Sequence, residues 1–312
     1  MSLLKQEFFY DAANGEGKLH AQCWVPPRPK AIVQIAHGMS EYADRYDEFA
    51  TMLAQNGYAV YANDHAGHGK SAQGHPGTFA LKKGGFECVL ADMGRLFDRA
   101  CAEHPGLPLV LMGHSMGSVL SGIFADRYGG RLSALILMGT PAPNKMTGMG
   151  IALASLVVAF CGYTRESKWL NKLTADAITK DNEASKQWLS YNQENVQRYL
   201  ADPLCGIPFS ASANRELFYG MREFGADGWG QNIPEIPILV IAGADDPAGK
   251  CGEGPKHYFS QLKRSGHADA ALTLVEHARH EILNENNADE TMRLLLDWLE
   301  TRFAQKAGQK AG

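Results

Sequence analysis

The stretch Leu109-Val-Leu-Met-Gly-His-Ser-Met-Gly117 constrains this chain more than any other. A short apolar run ends in Gly113-His114-Ser115-Met116-Gly117, and a helix-compatible segment, residues 118–128, follows at once. A strand that stops in G-x-S-x-G and turns directly into a helix needs a very tight turn. The central residue then takes a strained backbone conformation, and the flanking glycines let strand and helix close on each other. Such a turn holds Ser115 out at the strand end, where its hydroxyl can serve as a nucleophile. Gly and Ser also make ordinary turns, so the pentapeptide alone is weak; the strand before it and the helix after it favour the elbow.

The rest of the chain repeats this strand-then-helix rhythm. Strands are expected at residues 7–11, 19–25, 31–36, 59–63, 109–113, 134–138, 238–242 and 272–275. Several are nearly unbroken aliphatic runs, such as Ala134-Leu-Ile-Leu-Met138 and Ile238-Leu-Val-Ile241. Strands apolar on both faces belong in a parallel sheet covered on both sides by helices. Helices are expected at 42–56, 85–103, 117–128 and 288–303, with Gly57 stopping the first. The fold class is therefore α/β, a mostly parallel eight-stranded sheet flanked by helices.

The rhythm breaks over about ninety residues after Pro143. Strand signal is weak there, and helical stretches run over 146–163, 175–189 and 193–200. This is too long for an ordinary crossover. The expected organisation is a core of residues 1–142 and 233–312 interrupted by a helical cap at 143–232. The segment from Met146 to Tyr163 carries no charge and sits at the lower limit for a bilayer span. Its glycines and mid-chain position make it a lid helix instead, one that leaves room for transient contact with lipid.

A serine hydroxyl needs an imidazole to take its proton and a carboxylate to orient that imidazole. In a fold of this kind the order is Ser, acid, His. Asp245 and Asp246 follow the strand at 238–242. Asp246 is favoured, as the third residue after Gly243 and the one fixed by Pro247, with Asp245 as the fallback. His277 and His280 follow the last strand, and His280, further into the loop, is favoured. The oxyanion of the tetrahedral intermediate needs backbone donors. Met116 N–H, just after the nucleophile, is one. Met39 N–H, in His37-Gly38-Met39 after an early strand, is the other. His65 and His68 suggest a metal only weakly, because no third ligand stands near them and two glycines mark a structural loop. No metal and no cofactor is expected.

With 45% hydrophobic and 21% charged residues, 312 residues suffice for a sizeable core. A net charge of −4 and the absence of a basic cluster argue against a nucleic-acid partner. Six scattered cysteines without a C-x-x-C pair, and an N-terminus without a signal-peptide pattern, indicate reduced thiols and a cytoplasmic location. The small polar tail at 304–312 is expected to fray.

The motifs His37-Gly-Met-Ser-Glu-Tyr-Ala-Asp-Arg-Tyr46, Asp64-His-Ala-Gly-His-Gly-Lys-Ser71, Gly113-His-Ser-Met-Gly117, Gly243-Ala-Asp-Asp246 and Arg279-His-Glu-Ile-Leu-Asn-Glu285 together resemble the α/β-hydrolase superfamily. More narrowly they resemble its monoacylglycerol lipase and lysophospholipase-like group of serine aminopeptidase S33-type hydrolases. The resemblance implies Asp246 as the acid, His280 as the base, and a cap over an acyl-binding pocket. Glu41, Arg45 and Lys70 fall in loop motifs and read as structural. The expected activity is hydrolysis of a small-molecule carboxylic ester bearing an acyl chain, of monoacylglycerol or lysophospholipid type.

Other activities use the same machinery. A peptidase needs acids to hold the substrate amine, for which Glu166, Asp176 and Glu183 are candidates. A cofactor-free haloperoxidase uses a similar triad. A dehalogenase is disfavoured because the nucleophile is not Asp, and a non-catalytic binding protein because all three triad positions are kept.

Overall fold

The computed structural model describes residues 3–82, 84–178 and 187–304. Among them eight strands form one sheet: β1 (Leu4–Asp11), β2 (Lys18–Val25), β3 (Ala31–Ala36), β4 (Tyr58–Asn63), β5 (Leu109–His114), β6 (Ala134–Met138), β7 (Ile238–Gly243) and β8 (Ala270–Val275). Their order across the sheet is β1-β2-β4-β3-β5-β6-β7-β8. β2 pairs antiparallel with β1 and β4, and every other pairing is parallel.

The aliphatic runs explain the layers. Side chains alternate between the two faces of a strand. Ile32, Leu109, Leu111, Leu135, Leu137, Ile238 and Val240 enter one buried cluster. Their neighbours Val33, Val110, Met112, Ile136, Leu239 and Ile241 enter another on the opposite face. The first face is covered by α2 (Gly85–Glu103), α3 (Met116–Tyr128) and α8 (Glu253–Arg264), through residues such as Leu90, Ile123 and Leu262. The second is covered by α1 (Asp47–Gln55) and α9 (Ala288–Phe303), through Phe49, Leu53, Leu295 and Leu299. Polar residues on either face would have no water to bind, which is why the central strands read as unbroken apolar runs.

Among the described residues, four helices stand between β6 and β7: α4 (Thr147–Cys161), α5 (Lys168–Ile178), α6 (Gln193–Ala201) and α7 (Ala211–Phe224). Ala154 and Val158 of α4 bury against Leu170 and Ala211 in a small satellite cluster. Leu217, Met221 and Phe224 of α7 join the main core. Thr147, Gly150 and Ile151 of α4 are also buried, whereas Met149, Leu156 and Phe160 are exposed, Phe160 to 85%. Among the described residues no helix is long and apolar enough to cross a membrane.

The helix expected at 42–56 is divided. A 3-10 turn covers Ala43–Tyr46, and Tyr46 at φ −100°, ψ 6° breaks the path into α1. Most of the helix expected at 175–189 lies outside the described residues; Gln187–Leu189 forms a 3-10 turn. The tail from 305 onward also lies outside them. Helices α7 and α8 have no counterpart among the expected helices. In α8, Gly252 and Gly254-Pro255 read as turn punctuation and mask the start. The usable signal was Tyr258 and Leu262 four apart, with Lys263 and Arg264 in the last turn.

Candidate active site

Parallel strands direct their carboxyl ends to one edge of the sheet, where an open α/β sheet binds its ligand. The loops after β3, β5, β7 and β8 meet there. Ser115 sits between β5 and α3 at φ 53°, ψ −116°, in the region that side chains avoid. The elbow survives because its neighbours over-determine it. Ser115 N–H donates to Met138 O at 2.9 Å, and Ser118 Oγ and N–H both donate to Ser115 O. The glycines are steric necessities: a Cβ at Gly113 would collide with Gly117 O, and one at Gly117 with Ala36 O.

Asp246, fully buried after β7, accepts Ala248 N–H at 2.9 Å on one oxygen. On the other it faces His280 Nδ1 at 3.0 Å. His280, in the loop after β8, is thereby held with its ring in the cavity that Ser115 lines. The fallback residues lie elsewhere. Asp245 accepts from Tyr191 Oη at 3.2 Å, and His277 is exposed in a left-handed turn.

The loop after β3 is fixed from both sides. Glu41 Oε1 accepts Gly38 N–H at 2.6 Å, and His37 Nδ1 donates to Gly38 O at 2.7 Å. Gly38 C=O and Met39 N–H belong to one planar peptide and point opposite ways. Holding the carbonyl against His37 therefore aims Met39 N–H away from it. Met116 N–H is the first of α3, with no preceding turn to receive it. Met39 and Met116 both line the cavity beside Ser115.

His37 is set in turn by His65, whose N–H it accepts on Nε2 at 2.9 Å. With one ring nitrogen donating and the other accepting, His37 is neutral. Burial pushes its pKa well down, and that of His65 to about 3. His68 is also lowered by burial. The three rings pack together, the His37 and His65 centroids 4.2 Å apart. Among the described residues no cluster of His, Cys, Asp or Glu could hold a metal ion.

Two further features were not read from the sequence. His114, inside the elbow pentapeptide, is buried with Nδ1 3.1 Å from Glu41 Oε1 and Nε2 3.2 Å from His280 O. Burial is the largest influence and disfavours its charge, but the Glu41 hydrogen bond, the charges of Glu41 and Glu281 and the bond to His280 O together outweigh it and raise the pKa. Burial likewise opposes ionisation of Glu41, but His114 and Arg45 hold its carboxyl far below the ordinary range. Arg45 forks onto Glu281 with two bonds of 2.7 Å, and Asn195 of α6 donates to Glu281 Oε2 at 2.6 Å. The partners Glu41 and His114 are 73 residues apart, and Arg45 and Glu281 are 236 apart. Nothing local in the chain announces either pair.

The cavity is otherwise mainly apolar, with Met39, Val119, Leu189, Ile207, Phe209 and Leu217 on its wall. Its polar patch joins α5 and α7. Thr174 Oγ1 donates to Asn214 Oδ1, and Asn214 Nδ2 donates to Asn171 Oδ1. Of the acids proposed for an amine-binding peptidase, only Glu166 has a described side chain, and it does not line this cavity. Glu166 is exposed and bridges to Ser210, the side chain of Asp176 is not described, and Glu183 lies outside the described residues. Lys70 is at the surface, bonded to Glu7.

Comparison with known proteins agrees with this geometry. The chain matches the family described as serine aminopeptidase, S33, over residues 27–287. A monoacylglycerol lipase of Mycolicibacterium smegmatis is 31% identical over 231 residues, 72% of this chain and 73% of that protein. The Homo sapiens monoglyceride lipase is 27% identical over 277 residues, 87% of this chain and 83% of its own. Among solved structures, a highly thermostable carboxyl esterase from Bacillus coagulans in complex with glycerol aligns with a TM-score of 0.89. It is 27% identical and covers 97% of this chain and 100% of its own.

Proposed function

From a chain that belongs to the serine aminopeptidase S33 family of α/β-hydrolases, we propose a serine hydrolase that cleaves carboxylic esters of monoacylglycerol or lysophospholipid type through an acyl-enzyme on Ser115. The observation that carries this reading is His280, held by Asp246 at 3.0 Å, in the cavity lined by Ser115. His280 takes the Ser115 proton on Nε2, the ring atom that Asp246 does not engage. Ser115 Oγ adds to the ester carbonyl, and the N–H groups of Met39 and Met116 hold the oxyanion. Asp246 stabilises the imidazolium, which then protonates the departing alcohol. Water repeats the sequence on the acyl-enzyme and frees the acid.

The apolar wall suits an acyl chain, and the Asn171–Thr174–Asn214 patch suits a polar group on the same ester. An aminopeptidase is less well supported. The lining carboxylates Glu41 and Glu281 are already occupied by His114, Arg45 and Asn195, which leaves neither for a substrate ammonium. Residues 143–232 serve in this reading as a cap over the core of 1–142 and 233–312. Its exposed Met149, Leu156, Phe160 and Trp169 make transient contact with lipid. Six unpaired cysteines support a reducing, cytoplasmic setting, which cell fractionation tests.

Ser115→Ala should remain folded, lose hydrolysis of p-nitrophenyl esters by at least about 10³-fold, and no longer label with a fluorophosphonate. Activity retained by this variant after purification would overturn the assignment. In the same assay, Leu156→Ser with Phe160→Ser should slow turnover of vesicle-borne monoacylglycerol and spare p-nitrophenyl acetate; equal rates on vesicles would remove the lipid contact.

A further inference from the structure

Three cavity-lining groups of the cap are also tied to the groups that hold His280. The Trp188 ring lies against the His280 ring, centroids 5.0 Å apart. Leu189 O accepts the N–H of Glu281, the residue after His280, at 2.8 Å. The Tyr199 ring lies 5.0 Å from the Arg45 guanidinium. Asn195, one turn before Tyr199 on α6, closes the array. It accepts from Arg45 Nη2 at 3.1 Å and donates to Glu281 Oε2 at 2.6 Å.

On the core side the same array reaches the reacting groups. Arg45 Nη1 also approaches Glu41 Oε2 at 3.4 Å. Glu41 holds the Gly38 amide and His114, and His114 holds His280 O. The Arg45 and Glu281 side chains are 10% and 4% exposed. A buried, hydrogen-bonded ion pair resists separation, because parting it leaves an unpaired charge away from water. The Arg45–Glu281–Asn195 contacts therefore link the cavity wall directly to the His280 loop.

We propose that Glu281, with Arg45 and Asn195, is a positioning unit that couples filling of the cavity by an acyl chain to the placement of His280. The proposal rests on the serine-hydrolase reading above. A chain long enough to press on Trp188, Leu189 and Tyr199 steadies His280 for proton transfer. Its binding energy then appears in turnover and not only in affinity. Arg45 and Glu281 do not touch the reacting atoms; they act through His280.

The test is steady-state kinetics on p-nitrophenyl acetate, butyrate, octanoate and decanoate. In the wild type, kcat should rise with chain length by about tenfold. Asn195→Ala, whose side chain does not line the cavity, should lose most of that rise. Its KM for decanoate and its kcat for acetate should each stay within about twofold. Thermal unfolding monitors the fold, and Asn195→Ser replaces Asn195→Ala if the latter does not fold. A wild-type kcat flat across the series, or an equal loss by the variant on acetate and decanoate, overturns the coupling. A wild type that hydrolyses none of the esters overturns instead the reading on which the coupling rests.

Discussion

The contact of the loop after β4 with β2, and that between the loops after β7 and β8, contain the same pairing of a buried aspartate with an imidazole. Asp64 Oδ2 is 2.9 Å from His20 Nδ1, and Asp246 Oδ2 is 3.0 Å from His280 Nδ1. Both aspartates are closed to solvent. The surroundings differ. Asp64 also takes the amides of Ala43 and Lys70, and His20 spends its other nitrogen on Glu7. Every group in that pair is used to bind β2, the turn before α1 and the β4 loop together. In the second pair, the ring opens onto the cavity that Ser115 lines. An acid–imidazole contact is thus a structural part by default. It becomes chemical only where the second ring nitrogen faces a space that a substrate can enter.

Exchanging each aspartate for asparagine should pull the two regions apart. Asp246→Asn should reduce kcat/KM by about 10⁴-fold, because the amide favours the wrong tautomer of His280. Its melting temperature should change little, since the new side chain can still accept from Ala248 N–H; ester hydrolysis and a thermal melt read both. Asp64→Asn should do the reverse. It loses a charged acceptor that serves three donors, for about 2–4 kcal/mol of stability in denaturant unfolding. Turnover per fluorophosphonate-titrated site should stay within about twofold. Loss of turnover by Asp64→Asn without loss of stability would erase the distinction.

A smaller effect should come from acid. His37, His65 and His68 have lowered pKa values in the fold and ordinary ones, near 6.5, when unfolded. The unfolded chain then binds protons that the native state refuses, so stability falls as pH drops below about 6.5. His114 acts oppositely: its raised pKa adds stability at low pH that is lost as pH rises through the folded value. The net loss from pH 7 to 6 should be about 1–2 kcal/mol. Melts across that interval check it, and His65→Gln should flatten the slope. An unchanged melting temperature would mean that the β4 loop does not hold these rings neutral.

The parts legible in the sequence were those set by near neighbours. The runs 134–138 and 238–242 announce buried strands because their apolar content is continuous. The elbow is legible because Gly113 and Gly117 are needed within the turn itself. Asp246 and His280 could be ranked above Asp245 and His277 because loop position decides what a side chain faces. His114 and Glu281 carry no such mark: their roles arise from partners that only the folded sheet brings near. The span between β6 and β7 was legible as helical but not in detail. The small cluster of Ala154, Val158, Leu170 and Ala211 imposes little periodicity on α4, and Leu156 and Phe160 are left outward.

The backbone angles of Ser115 carry one more consequence. A serine at φ 53° stands where glycine would rest more easily, so stability alone would favour glycine at this position. On the function proposed above, the strain at residue 115 is what it costs to hold a hydroxyl at the strand end, where a substrate can meet it.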